Sequence, residues 1–194
     1  MPLLTSKTNK NLTFSDYLSF PYDERWELID GTAYKMTPAP SLEHQEISGQ
    51  LFYLIKCFLK NKPCKVLSAP IDVRFSDNDS YDDKNVRTVV QPDIIVVCNK
   101  EKLDNHGCKG APDLIVEILS PESAARDMND KLHLYEKYGV KEYWIINPSE
   151  RTLSLYRLDK GNTYSRPEII RGKDLVNTSV LDGFEISVDD IFNY

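Results

Sequence analysis

The sequence has no long hydrophobic run, no excess of basic residues and no paired-cysteine motif. In its 194 residues no stretch of about 18 apolar residues could span a membrane, and the first residues have no apolar core typical of a secretory signal. We therefore expect a cytoplasmic protein. Its cysteines do not form a C-x-x-C pair, so no structural zinc site is predicted and free thiols are expected. The four are Cys57, Cys64, Cys98 and Cys108.

The charge balance and the missing motifs exclude several other classes. A net charge of −6 and a pI near 5.1 argue against a generally basic nucleic-acid binder. A nucleic-acid enzyme stays possible, because a local basic patch or bound metal ions can offset nearby acidic residues. No G-x-S-x-G, phosphate-loop or dinucleotide fingerprint is present. The length fits one domain over residues 1–194, with residues 1–12 as a loose N-terminal segment.

Helical and alternating patterns follow one another along the chain. Their order predicts an α/β (α+β) fold with a mixed central sheet. The Asp30-Gly31 turn signal predicts a hairpin, and polar loops are expected over 76–87 and 99–110. The predicted elements are a hairpin over 25–36, a helix over 41–59, strands over 66–75, 89–97 and 111–120, a helix over 123–138 and strands over 142–147 and 152–158.

Two acidic residues lie on β-branched runs that are typical of buried strands. Asp93 opens the run that ends at Val97, and Glu117 lies near the end of the run that follows. Burying a carboxylate is unfavourable unless a cation, a proton or hydrogen bonds compensate it. If the two residues converge, they could hold a divalent ion such as Mg²⁺. The alternative is that one of them only caps or ends its strand.

Asp113 and Lys131 also occupy suggestive positions. Asp113 shares a face with Glu117 by period-two alternation, but its place at the strand mouth also suits a turn or cap. Lys131 lies on the helix after the second acidic strand and could reach a water nucleophile or a scissile phosphate. It could equally be an exposed lysine paired with Asp127, four residues earlier. Asp127, Lys131 and Tyr135 form one helical stripe, so this polar face could point at the site.

Glu27 and His44 are weaker candidates. Glu27 lies between Trp26 and Leu28 on the predicted hairpin, so it points away from both. A site carboxylate and a surface residue are equally consistent with that position. His44 lies near the start of a helix, where a histidine is often simply exposed.

Several motifs in this order resemble one known family, the Uma-two family of restriction-endonuclease-like proteins within the PD-(D/E)XK nuclease superfamily. The resemblance covers roughly residues 12–190 and is densest over 110–121. The matching motifs are Trp26-Glu27-Leu28-Ile29-Asp30-Gly31, Pro40-Ser41 with His44, Gln91-Pro92-Asp93, Ala111-Pro112-Asp113-Leu114-Ile115-Val116-Glu117, then Asp127, Lys131, Tyr135, Gly139-Val140 and Glu142-Tyr143-Trp144.

The resemblance implies a restriction-endonuclease-like fold, a mixed sheet flanked by helices. It implies Asp93 and Glu117 as ligands of Mg²⁺ or Mn²⁺. The superfamily pattern has lysine two residues after the acid, but Leu119 stands there, and Lys131 fits a migrated position on the next helix. Glu27 and His44 match motif positions that would complete the site.

The implied function is a metal-dependent endonuclease that acts on nucleic acid, with DNA as the expected substrate and a homodimer as the expected assembly. Two other functions remain open. One is a non-catalytic member of the fold that binds nucleic acid or protein. The other is a hydrolase of small phosphoesters, which would use the same metal chemistry. A basic groove beside the acids would favour the nuclease, and a closed small pocket would favour the small-molecule hydrolase.

Overall fold

The computed structural model describes residues 11–36, 40–121 and 126–194. Residues 1–10, most of the expected loose N-terminal segment, lie outside this part. The helices are α1 (Phe14–Tyr17), α2 (Leu42–Phe58), α3 (Lys131–Lys137) and α4 (Val188–Ile191), with a 3₁₀ turn at Lys100–Lys102 and a π-helical turn at Arg126–Asp130. The strands are β1 (Trp26–Ile29), β2 (Thr32–Lys35), β3 (Lys65–Ser68), β4 (Val73–Phe75), β5 (Thr88–Val90), β6 (Ile94–Val97), β7 (Leu103–Asp104), β8 (Gly107–Lys109), β9 (Leu114–Ile118), β10 (Glu142–Asn147), β11 (Thr152–Arg157), β12 (Glu168–Arg171), β13 (Leu175–Asn177) and β14 (Glu185–Ser187).

These strands form two large mixed sheets and one small one. The first sheet has the order β2-β1-β5-β4-β8-β7, and the second has the order β12-β11-β10-β9-β6-β3. Each has one parallel pair, β4 with β8 and β9 with β10. Strands β13 and β14 pair separately. The mixed α+β class predicted from the sequence is confirmed, and its strands are divided between two large sheets.

Two predicted strands each divide between the two sheets. The run over 66–75 becomes β3 in the second sheet and β4 in the first, and the run over 89–97 becomes β5 in the first and β6 in the second. Pro70 and Pro92 lie between the halves. Proline lacks a backbone N–H and cannot donate to a sheet ladder, so strands are interrupted there. The chain passes from the first sheet to the second at Gln91-Pro92, and this brings Asp93 to the start of β6.

Two loop and helix predictions also need correction. The segment over 99–110 is not only a polar loop, because it contains the 3₁₀ turn and the β7–β8 hairpin. The start of the helix predicted over 123–138 lies outside the described residues. From Arg126 the chain forms the π-helical turn and then α3. The hairpin around Asp30-Gly31 is confirmed as β1 and β2.

Helices α2 and α3 pack with different hydrophobic clusters. Helix α2 buries Ile47, Leu51 and Ile55 against the second sheet. Their spacing of four places all three on one helix face, and burying each contributes about 1.5–3 kcal/mol. Tyr135 of α3 belongs instead to a cluster with members from both large sheets. That cluster lies on the sheet face where Asp93 and Glu117 meet.

The expectation of four free thiols was wrong for two of them. Cys64 and Cys98 form a disulfide, with their Cα atoms 3.9 Å apart. They flank the antiparallel pairing of β3 with β6, in which Lys65 lies opposite Val97, so the next pair outward is Cys64 with Cys98. Cys57 and Cys108 are free. In the described ranges no helix is long and apolar enough to cross a membrane.

Candidate active site

The paired strands β6 and β9 bring Asp93 and Glu117 together. These strands are antiparallel, with Ile94 opposite Val116, so Asp93 precedes its strand at the place opposite Glu117. Residues directly opposite in such a pair have side chains on the same face. The backbone N–H of Ile118 donates to Asp93 Oδ2 at 2.8 Å. The two acids singled out in the sequence therefore lie side by side.

Lys131 reaches these acids from the first residue of α3. Its Nζ lies 2.9 Å from Glu117 Oε1, 2.9 Å from Glu27 Oε1 and 3.5 Å from Asp127 Oδ1. The Lys131 side chain is only 4% exposed, so the alternative of an exposed helix lysine was wrong, although the pairing with Asp127 that it included is present. Glu27 lies on the first sheet and Glu117 on the second. One ammonium thus joins both large sheets and the helix.

The charges in this cluster perturb one another strongly. Burial lowers the pKa of Lys131, but the carboxylates of Glu117, Glu27 and Asp127 outweigh it and hold that pKa well above its usual value. Lys131 is therefore a fixed cation. Burial raises the pKa of Glu117 well above its usual range, against the opposing effect of Lys131. Three carboxyl groups surround one ammonium and the charge of Asp93 acts on Glu117 as well, an imbalance that protons or a divalent ion would relieve.

His44 contacts Asp93, which unlike Glu117 makes no ion pair with Lys131 within the described part of the chain. Ser41 caps α2 by accepting a hydrogen bond from the His44 N–H at 3.2 Å, which fixes the backbone at the helix start. His44 Nε2 lies 3.1 Å from Asp93 Oδ2. Burial lowers the pKa of His44, but its hydrogen bond to Asp93 and the nearby negative charges give a net increase. The structure thus brings His44 into the cluster.

Glu27 is buried as well, with 1% exposure, so the surface alternative was wrong. Its Oε1 accepts a hydrogen bond from the Gln91 N–H at 3.1 Å in addition to the Lys131 contact. The Gln91-Pro92-Asp93 segment therefore supports two acids at once, Glu27 through a backbone amide and Asp93 through its position at the strand start.

Tyr135 belongs to the cluster, as its helical stripe with Asp127 and Lys131 suggested, although the sequence did not indicate which residue it contacts. Its hydroxyl donates to Glu117 Oε1 at 2.8 Å. Burial and the charge of Glu117 raise the pKa of Tyr135 well above its usual value, so the hydroxyl stays protonated. Tyr135 follows Lys131 by four residues, and that spacing on one helix face was the available signal. That signal did not identify β9 as the strand that Tyr135 contacts.

Asp113, the rival acid, lies apart from this cluster. It accepts hydrogen bonds from the Cys98 N–H at 2.7 Å and from Lys141 Nζ at 2.6 Å. Burial raises the pKa of Asp113, but these two donors outweigh it and hold the pKa below its usual value. Asp113 thus caps the mouth of β9, the alternative that its position in the sequence suggested.

Comparison with known proteins places these residues in a family. Residues 14–189 match the Uma2 family model, described as "Putative restriction endonuclease". The chain belongs to the Uma2 family. This match includes Glu27, His44, Asp93, Glu117 and Lys131, and it confirms the resemblance found in the sequence.

Two similar proteins extend this result. An uncharacterised Synechocystis protein is 25% identical over 134 residues, which is 69% of this chain and 66% of that protein. The chain therefore spans slightly less than two thirds of that relative's length. The crystal structure of a protein from Anabaena variabilis, described as "a putative nuclease belonging to DUF820", matches with a TM-score of 0.74 and 22% identity. The match covers 94% of this chain and 98% of that one, and it confirms a nuclease-like fold.

The donor set of this Uma2 member fits a hard cation held by few protein ligands. Among the described residues no three His, Cys, Asp or Glu side chains are grouped to ligate an ion. Each main acid has one oxygen engaged, Asp93 Oδ2 and Glu117 Oε1. We find no hydrogen bond to Asp93 Oδ1 or Glu117 Oε2 within the described ranges. Mg²⁺ characteristically takes one or two carboxylates and completes its shell with water and substrate oxygens.

Two clefts of this Uma2 member, within the part of the chain that the structure describes, have walls made by other residues than the acids. One of about 550 Å³ is lined by Phe75, Tyr81, Lys102 and Tyr138 among others, and one of about 340 Å³ by His133 and its neighbours. Neither is lined by Asp93 or Glu117. A closed small pocket lined by the acids would favour a small-molecule hydrolase. Neither of these two clefts is such a pocket.

Proposed function

We propose that this protein is a metal-dependent endonuclease that hydrolyses phosphodiester bonds in nucleic acid, with DNA as the expected substrate. The observation that carries the proposal is the juxtaposition of Asp93 and Glu117 with the buried ammonium of Lys131. Family membership supports the nuclease class. The fold of the Anabaena protein supports the same architecture.

Asp93 and Glu117 would hold Mg²⁺ or Mn²⁺ through the oxygens that make no hydrogen bond in the described structure. Such an ion supplies a nucleophilic water of lowered pKa and stabilises negative charge at phosphorus. The carboxylates themselves provide the negative potential that attracts the ion. Their fixed positions on neighbouring strands set where the ion and the scissile phosphate would meet, because sheet strands are rigid supports.

Lys131 acts in this proposal as a permanent positive charge. Its pKa is held well above the usual value, so it orients water or stabilises the charged phosphate but does not accept a proton. Glu27 and Asp127 hold the ammonium in place, with all three side chains nearly fully buried. His44 orients Asp93 by binding its Oδ2. Glu27 and His44 thus support the groups that would touch substrate.

The two other functions are less well supported. A binding protein without catalysis would have no use for three buried carboxyl groups around one ammonium, because each unpaired charge is unfavourable to bury. A small-phosphoester hydrolase would need the acids to line a pocket. Neither alternative has an observation of its own in its favour.

Cleavage of plasmid, single-stranded DNA and RNA tests the proposal. Each substrate is incubated with Mg²⁺, Mn²⁺ or EDTA and with wild type, Asp93→Ala or Glu117→Ala. We expect metal-dependent cutting by wild type that both variants lose while their circular-dichroism spectra stay native. Asp113→Asn is the matched control, an acid just before the strand of Glu117 with partners of its own, and it should cut normally. Full activity in both alanine variants would rule out the proposed site.

A further inference from the structure

One oxygen of Glu117 receives two hydrogen-bond donors from a single helix. Lys131 Nζ lies 2.9 Å and Tyr135 Oη 2.8 Å from Glu117 Oε1. Lys131 and Tyr135 are four residues apart, one turn of α3, so both point from the same helix face. Two donors that converge on one oxygen restrict rotation of the carboxylate and leave the second oxygen with a defined direction.

Packing fixes the Tyr135 ring independently of Glu117. The ring is fully buried and meets Tyr143 edge-on, with centroids 4.9 Å apart and planes at 76°. Phe75 contacts it from another side, at a centroid distance of 6.2 Å. The backbone carbonyl of Tyr135 accepts a hydrogen bond from the Val140 N–H at 3.0 Å. The hydroxyl is therefore held in place by surroundings that do not include the carboxylate.

The other acid is held in the same way. Asp93 Oδ2 is engaged by two groups, the Ile118 N–H at 2.8 Å and His44 Nε2 at 3.1 Å. Each of the two acids is thus fixed through one oxygen by two partners. This arrangement is what a cation site with few ligands requires, because outer partners set the orientation of the ligating atoms.

We propose that Tyr135 is a positioning residue whose hydroxyl orients Glu117 for the bound ion, an inference that rests on the proposed metal-dependent function. Lys131 places a positive charge beside Glu117 Oε1, and the hydrogen bond from Tyr135 to the same oxygen sets the orientation of the carboxyl group. Loss of the hydroxyl leaves the contact between Glu117 and Lys131 in place but allows the carboxyl group to rotate, so the ion binds more weakly.

Mn²⁺ titration by calorimetry, with cleavage measured on the same preparations, tests this role. Tyr135→Phe removes one oxygen and preserves the ring. Tyr164→Phe is the matched control, because Tyr164 also donates from an aromatic cluster, to the Val140 carbonyl at 2.9 Å, but not to an acid. We expect Tyr135→Phe to weaken Mn²⁺ binding by about 10-fold, the lower end of the range for outer-shell partners, and Tyr164→Phe to leave it unchanged. Raising Mn²⁺ should restore the kcat of Tyr135→Phe.

Three outcomes would overturn the inference in different ways. Equal Mn²⁺ affinity in wild type and Tyr135→Phe refutes the positioning role and leaves the proposed function intact. A loss of kcat at saturating Mn²⁺ with unchanged affinity would mean that the hydroxyl acts on the reacting groups. Absence of Mn²⁺ binding by wild type would overturn the proposed function together with the inference that rests on it.

Discussion

Replacing Lys131 by methionine tests the central contact of the site through stability alone. Methionine keeps the length and apolar character of the side chain but removes the ammonium that lies within 2.9–3.5 Å of three carboxylates. Removing one partner of a buried ion pair destabilises a protein by about 3–5 kcal/mol, because an uncompensated charge remains. For a chain of 194 residues, about 2–4 °C per kcal/mol predicts a Tm lower by about 6–20 °C.

The stability that Lys131→Met loses relative to wild type should increase as pH rises. Burial already raises the pKa of Glu117 well above its usual range, and Lys131 opposes that increase, so the pKa rises further in the variant. A carboxyl group with a folded-state pKa above its unfolded value binds more protons when folded, and the free energy of unfolding then decreases as pH rises. The deficit of Lys131→Met should therefore shrink from about pH 8 to about pH 5, above the unfolded glutamate pKa of about 4.3.

Thermal unfolding by circular dichroism over this pH range measures both effects. Lys137→Met is the matched control, because Lys137 lies on the same helix and pairs with Asp77 at 2.7 Å but is 48% exposed. An exposed pair contributes about 0–1 kcal/mol, so this control should shift Tm only slightly. The double variant Lys131→Met with Glu117→Gln should be more stable than Lys131→Met, since one buried charge is gone. If Lys131→Met melts like Lys137→Met at every pH, the buried charge cluster described here does not exist.

Two further predictions concern the disulfide and the assembly. The Cys64–Cys98 bond closes a separation of 34 residues, so reduction should lower the free energy of unfolding by about 2–4 kcal/mol; equal urea midpoints for oxidised and reduced protein would show that the bond does not form. A homodimer is expected for cutting both strands of a duplex, and sedimentation as a monomer at micromolar concentration would contradict it.

The sequence alone indicated which polar residues the structure brings together. Asp93 and Glu117 were identified because burying a carboxylate in a β-branched strand is energetically unfavourable unless another group compensates its charge. Lys131, Glu27 and His44 followed from motif order. All five lie in one cluster, although their roles remain predictions. Local patterns also gave the mixed fold class, the Asp30-Gly31 turn and the limits of α2.

The sequence could not give the division of the strands between two sheets. The apolar runs over 66–75 and 89–97 look continuous, because hydrophobicity does not reveal which sheet a strand joins. Pairing is a long-range choice, set by which neighbours cover each face. The Cys64–Cys98 bond was missed for the same reason, since it depends on β3 lying beside β6.

Residue type and order thus determined which groups carry charge and which segments form helices and strands, since both depend on nearby residues. Only the tertiary structure decided that Lys131 is buried and that Tyr135 meets Glu117. Those contacts join β1, β9 and α3, elements separated by many residues along the chain. A helix stripe of Asp127, Lys131 and Tyr135 fixes a direction in space but not a partner. The partner is set by how the helix packs between the sheets, which minimises exposed apolar surface over the whole chain.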